Sequence, residues 1–217
     1  MNILFVLPSL NPGGAERVVS FLARKFYEDD QNVELLILGK EKKEFYETGN
    51  LPVYYLNRSR LLFSVWEIVS FIKARKPDIV FSSIGQINIF MGIISCFFKK
   101  TRFIAREASV VSERARYGDN KSRLLSCIAR LSYKNLDAIV CQCEDIRVDL
   151  SSSFNIEDRK LHIIGNPITM RLSEPNMNGV SSLGKVKFIT VGRLSEVKGH
   201  SRIILGLSKI KTYDFHY

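Results

Sequence analysis

The 217-residue chain is poor in the residues that most often announce chemistry: four cysteines, three histidines and one tryptophan. Cys96, Cys127, Cys141 and Cys143 include no C-x2-C pair, which argues against a zinc ribbon or a dithiol redox centre. Three of the four lie in apolar segments, so buried, reduced thiols are expected. No uncharged apolar run reaches the roughly 20 residues of a bilayer span. The longest, Ile84 to Phe98, has 15 residues and contains Gln86 and Asn88. Met1-Asn2 places no basic stretch ahead of the apolar run at Ile3, and Pro8 stops that run, which is not the pattern of a secretory leader. The expectation is a cytoplasmic protein. Neither G-x-G-x-x-G nor G-K-[ST] occurs, which argues against a nicotinamide-dependent oxidoreductase and a P-loop NTPase.

What is present is a basic globular chain, 46% hydrophobic and 25% charged, with 32 Lys and Arg against 22 Asp and Glu. The excess is uneven. Between Lys99 and Lys134 ten basic residues meet only Glu107, Glu113 and Asp119, so this stretch carries +7 of the net +10. Such a surface suits phosphates, whether of nucleic acid, anionic lipid or a nucleotide. Nucleic acid is the weakest of the three, because no regular aromatic series interleaves the charges and no RNA- or DNA-binding signature is present. An anionic membrane is favoured by the segment Leu61–Ile72, apolar at nine of twelve positions and flanked by Arg58, Arg60, Lys73, Arg75 and Lys76. The same segment also reads as a core helix with solvated ends.

Hydrophobic periodicity alternates along the chain. Strands are predicted at 3–7, 33–38, 53–56, 79–81, 102–105, 138–141, 161–164 and 186–191. Helices are predicted at 15–27, 61–76, 87–98, 122–134, 144–154 and 199–210. Short apolar strands with helical crossovers predict an α/β fold with a parallel sheet covered on both faces, which binds ligands at the carboxyl ends of its strands.

Two loops carry candidate chemistry. Asn11-Pro12-Gly13-Gly14-Ala15-Glu16-Arg17 joins the first strand to the first helix, and its glycines let a phosphate or sugar approach backbone N–H groups at a helix start. They are also what a plain chain turn would use. Gly192-Arg193-Leu194-Ser195-Glu196-Val197-Lys198-Gly199 sets two cations around a short loop before a helix, a diphosphate clamp or simply a solvated loop.

Together, GGAER, the helix start at Cys143-Glu144, Gly165-Asn166-Pro167-Ile168 and GRLSEVKGH resemble glycosyltransferase family 4, nucleotide-sugar transferases of the GT-B fold. The resemblance implies a Rossmann-like acceptor domain over residues 1–168, a linker at 169–184, and at 185–217 the first strand and helix of a second Rossmann-like, donor-binding domain. It implies transfer of a sugar with retention of configuration, without a cofactor or bound metal. The acceptor would be a lipid-linked or polysaccharide glycan of cell-surface assembly, such as lipopolysaccharide, O-antigen or capsule, at the cytoplasmic membrane face. By the same resemblance Gly13 and Gly14 line the reaction centre, while Arg193 and Lys198 hold the departing diphosphate.

The chain departs from the pattern in two places. Where many members carry a histidine it has Ala105-Arg106-Glu107; Arg106 is expected to contact a substrate phosphate or hydroxyl, with Glu107 orienting it. His162 and His200 are expected to be structural. After Gly184 only 33 residues follow, without an E-x7-E motif. A truncated donor domain is therefore expected. The alternative is a non-catalytic acceptor- or membrane-binding module, or a remnant that needs a separately encoded donor half.

Overall fold

The computed structural model describes residues 1–41, 46, 48–58, 64–112, 123–167, 186–192, 194, 196–210 and 215–216. The chain divides into two compact units, Met1–Met170 and Arg171–Tyr217.

The first unit alternates strand and helix: β1 (Asn2–Leu7), α1 (Gly14–Glu28), β2 (Asn32–Ile37), β3 (Val53–Tyr55), α2 (Val65–Arg75) and β4 (Ile79–Ser83). It continues through α3 (Gly85–Ile94), β5 (Arg102–Glu107), α4 (Arg123–Asn135), β6 (Ala138–Cys141), α5 (Glu144–Phe154) and β7 (Leu161–Ile163). The seven strands form one sheet in the order β3-β2-β1-β4-β5-β6-β7. Every pairing is parallel. This is the Rossmann-like α/β sheet expected of a GT-B N-terminal domain. The expected helix at 87–98 starts earlier and ends at Ile94, where Ser95–Phe97 tightens into a 3-10 turn.

Strand side chains alternate between faces, and the two apolar layers follow that alternation. Leu4, Val6, Val80, Phe103, Ala105 and Ile139 bury against Ile68 and Ile72 of α2, Met91 of α3, Tyr133 of α4 and Leu150 of α5. Ile3, Phe5, Leu7, Leu35 and Ile37 bury against Val19 and Ala23 of α1. Crossovers that return the chain in opposite directions across the sheet place α1 on one face and α2 to α5 on the other. Where the direction reverses, between β1 and β4, the carboxyl ends part and leave the crevice in which sheets of this type hold ligands.

Local chemistry sets the helix ends. α2 stops at Lys76, which takes a left-handed conformation (φ 47°) ahead of Pro77. α3 and α4 approach closely because Gly92 has no side chain: a Cβ there would lie 2.2 Å from the Ser132 carbonyl oxygen.

The second unit contains β8 (Val186–Lys187), α6 (His200–Ser208) and β9 (Phe215–His216), with β8 and β9 parallel. Of the strand expected at 186–191, the described residues form only Val186–Lys187, paired with Phe215–His216. Ile189 and Val191 beyond it are 87% and 89% exposed.

The expectation of buried thiols fails at three positions. Cys96, Cys127 and Cys143 are exposed and only Cys141 is buried. An apolar sequence neighbourhood does not place a residue inward: Cys96 sits on the 3-10 turn beyond α3, Cys127 faces outward from α4, and Cys143 precedes the first turn of α5.

Candidate functional site

Gly13 and Gly14 lie where β1 gives way to α1, at the carboxyl edge of the sheet. Gly13 is extended (φ −162°, ψ 152°) and precedes the first helical turn. Gly14 is exposed, with nothing within 4 Å of where a Cβ would stand. The backbone of Gly13 is not bare. Its N–H donates to the Tyr46 hydroxyl at 2.7 Å, and that hydroxyl donates back to the Gly13 carbonyl at 2.8 Å. The Glu16 carboxylate also folds back over it, so that a Cβ on Gly13 would meet Glu16 Oε2 at 2.1 Å. A carboxylate here is favoured by the positive end of the helix dipole.

Arg106 and Glu107 end β5. Both are buried, at 3% and 0% exposure. As consecutive strand residues they point to opposite faces. Glu107 joins the layer under α3 and α4, where Oε1 accepts from Asn88 Nδ2 at 2.5 Å and from the Tyr133 hydroxyl. Arg106 points to the α1 face. There its Nη1 donates to Ser83 Oγ at 3.3 Å and its Nη2 donates to Asn166 Oδ1. Asn88 Nδ2 also donates to the Arg106 carbonyl at 3.0 Å, so the link from Glu107 to Arg106 runs through one amide and the backbone. Burial pushes the guanidinium pKa down and the negative charge of Glu107 opposes that shift. A guanidinium remains a cation in proteins regardless.

Asn166 continues the series: its Nδ2 donates to Gln142 Oε1 at 3.3 Å. Ser83, Arg106, Gln142 and Asn166 thus form a polar string across the carboxyl ends of β4 to β7. β1 and β5 flank β4 in the sheet, so the Gly13-Gly14 loop and Arg106 both lie at its carboxyl edge. Between them, at the turn from β4 into α3, Ile84 takes φ 81° and ψ 120°. A β-branched residue there is strained, and strain of this kind concentrates at functional turns.

The structure therefore brings Gly13, Gly14 and Arg106 to one edge and sends the Glu107 side chain to the opposite face. Arg193 lies outside the described residues. Lys198 is exposed at the end of a 3-10 turn (Glu196–Lys198) in the second unit, where its side chain and the His200 ring flank Gly192. Sequence reasoning missed Ser83, Tyr46 and Ile84, none of which belongs to a motif. It read Asn166 only as part of the Gly165-Asn166-Pro167-Ile168 motif.

The basic stretch from Lys99 to Lys134 is not one surface, because β5 runs through it. Lys99, Lys100, Arg102 and Lys134 are exposed at the amino end of the strands, away from the loops just described, and Arg106 is buried at the other end. Arg114, Arg116 and Lys121 lie outside the described residues. On the carboxyl side Trp66, in the first turn of α2, is 79% exposed beside the Arg58–Glu67 ion pair. Among the described residues no helix is long and apolar enough to cross a membrane. No group of three or more His, Cys, Asp or Glu among them could hold a metal ion.

Comparison with known proteins places this architecture. The chain is 25% identical over 94% of its length to N-acetylgalactosamine-N,N'-diacetylbacillosaminyl-diphospho-undecaprenol 4-alpha-N-acetylgalactosaminyltransferase of Campylobacter jejuni, and it spans 58% of that relative. Its fold is similar to that of the lipopolysaccharide outer core galactosyltransferase WaaB in its apo form, with a TM-score of 0.67 and 16% identity over 99% of this chain and 59% of that one. It is also similar to Anabaena Alr3699/HepE in complex with UDP, with a TM-score of 0.70 and 16% identity over 98% of this chain and 58% of that one. The model of Glycosyltransferase Family 4 matches residues 12–171, from the glycine loop through the connector after β7, and the chain belongs to that family.

Proposed function

We propose that the chain takes part in transfer of a sugar, with retention of configuration, from a nucleotide-sugar donor to a lipid-linked or polysaccharide acceptor in cell-surface glycan assembly. The observation that carries this reading is the arrangement at the carboxyl ends of β1, β4 and β5. A glycine loop with room above Gly14 and a buried cation at Arg106 both lie at the carboxyl edge of a parallel sheet, in a member of Glycosyltransferase Family 4. The C. jejuni relative, named for a diphospho-undecaprenol-linked substrate, and the UDP complex of the Anabaena neighbour support the two substrate classes.

In this reading Gly13 and Gly14 admit the reacting sugar. Arg106 contacts an anionic or hydroxyl group of substrate, and Glu107 acts on it through the backbone. Arg193 and Lys198 stabilise charge developing on the departing diphosphate. No cofactor beyond the donor is required. The protein works at the cytoplasmic face of the membrane, against which the exposed Trp66 provides an aromatic contact.

The test is titration of the full chain with UDP and UDP-sugars. Binding tighter than about 1 mM, or roughly −4 kcal/mol, that is lost in Lys198→Ala supports the donor site. Absence of binding removes it. Flotation with anionic vesicles at low salt tests the membrane contact, and equal flotation by Trp66→Ala and the parent removes it.

A second reading is an acceptor-side binding module without its own turnover. It draws on the fact that the described groups at the crevice all belong to the first unit. A prenyl-diphosphate ligand that binds while UDP-sugars do not would favour it.

A further inference from the structure

We propose that Asn166 is a positioning residue for an anion hook at Arg106: it fixes the guanidinium with a neutral acceptor, so that the charge is aimed but not cancelled and stays available to a diphosphate. This rests on the functional reading of Arg106 above and goes beyond it in naming the residue that makes the hook work.

Arg106 is 3% exposed, and its two side-chain hydrogen bonds go to neutral oxygens, Ser83 Oγ and Asn166 Oδ1. A buried guanidinium normally takes a carboxylate partner, and the adjacent carboxylate is directed away by strand alternation. Glu107 instead accepts from Asn88 and Tyr133 on the opposite face. The result is a desolvated cation hydrogen-bonded to two dipoles at the carboxyl edge of the sheet, with the Glu107 charge felt from the opposite face. Asn166 is itself exposed, so the string ends at solvent on the side from which a ligand would arrive. Its amide nitrogen is spent on Gln142, which turns its oxygen toward the guanidinium. An aspartate at 166 would offer Arg106 the same oxygen and a full negative charge, quenching the hook while keeping the contact. That asymmetry separates a positioning role from a purely structural one.

A diphosphate could come from a lipid-linked acceptor or from a sugar nucleotide, and the probes separate the two. The full chain is titrated with inorganic pyrophosphate, farnesyl diphosphate and UDP, counting only binding that Arg106→Gln removes. Asn166→Asp is expected to weaken that binding at least tenfold with a melting temperature equal to or above the parent. Asn166→Ser keeps a neutral acceptor and should stay within about threefold of the parent, while Asn166→Ala falls between. Capture of farnesyl diphosphate but not UDP assigns the hook to the acceptor, and the reverse assigns it to the donor.

Parent-like affinity in Asn166→Asp overturns the role of Asn166 and leaves the reading of Arg106 standing. Should Asn166→Asp not fold, equal affinities for Asn166→Ser and Asn166→Ala overturn it instead. If the parent shows no binding sensitive to Arg106→Gln, the reading of Arg106 falls and the proposal with it.

Discussion

Arg106 and Glu107 are neighbours in sequence and carry opposite charges, yet their side chains lie on opposite faces of the sheet, where Arg106 donates to Ser83 and Asn166 and Glu107 accepts from Asn88 and Tyr133. The Glu107 carboxylate takes hydrogen bonds from Asn88 and Tyr133, both 0% exposed, and so joins β5 to α3 and α4. Removing it takes a buried acceptor from Tyr133 and from Asn88, which keeps its bond to the Arg106 carbonyl, and a lost bond to a buried charged group costs about 1.5–3 kcal/mol. Glu107→Ala is expected to lose roughly 3 kcal/mol, read from the urea midpoint, and Glu107→Gln clearly less because one acceptor oxygen remains.

Two glycines should respond in opposite ways to alanine. At Gly92 the new methyl meets backbone of Ser132, which cannot yield as a flexible side chain would. Gly92→Ala should destabilise the first unit by about 1–3 kcal/mol, the usual range for overpacking. Gly14 has open space and begins a helix, so Gly14→Ala should fold as well as the parent or gain about 0.5–1 kcal/mol. Loss of ligand binding in Gly14→Ala at unchanged melting temperature would mark the glycine as part of the site; unchanged binding would mark it as a chain turn.

Asp149 on α5 accepts from the backbone N–H groups of Val111 at 2.8 Å and Ser112 at 3.0 Å, capping the turn that follows β5. Burial alone would raise its pKa, but hydrogen bonds from the Ser112 side chain and backbone, the Ser153 hydroxyl and the Val111 backbone outweigh it and hold the carboxylate below its ordinary value. A depressed folded-state pKa contributes stability that is present above the unfolded value of about 3.9 and is lost as pH falls through the folded one. Urea midpoints measured from about pH 5 down to about pH 2 should therefore fall more steeply in the parent than in Asp149→Asn. Parallel curves would sink the assignment.

The cysteines should separate by reactivity. Burial first, and then the negative charge of Glu107, push the Cys141 thiol up to about 11, whereas Cys96, Cys127 and Cys143 are exposed. Alkylation near pH 8 followed by peptide mapping should label Cys96, Cys127 and Cys143 in the folded chain and reach Cys141 only in denaturant. Early labelling of Cys141 would mean that the core between β6 and the helices opens locally.

Local periodicity was enough to read nearly every strand and helix of the first unit, because a buried parallel strand and its crossover helix each carry their own hydrophobic pattern within a few residues. The glycine loop was legible as a Gly-Gly pair ahead of a predicted helix, and Arg106 only through the family resemblance. Pairing was not legible in this way. Ser83, Arg106, Gln142 and Asn166 meet only because β4 to β7 lie side by side in register, and residues 60 apart in sequence share a hydrogen bond through that register alone. The direction of Glu107, the exposure of three cysteines and the division of the basic stretch by β5 were likewise set by which face each backbone position presents once the sheet has closed. Sequence determines what each segment can become; the nonlocal packing of the sheet decides which charges meet, which are sent to opposite faces, and which end at the carboxyl edge of the sheet.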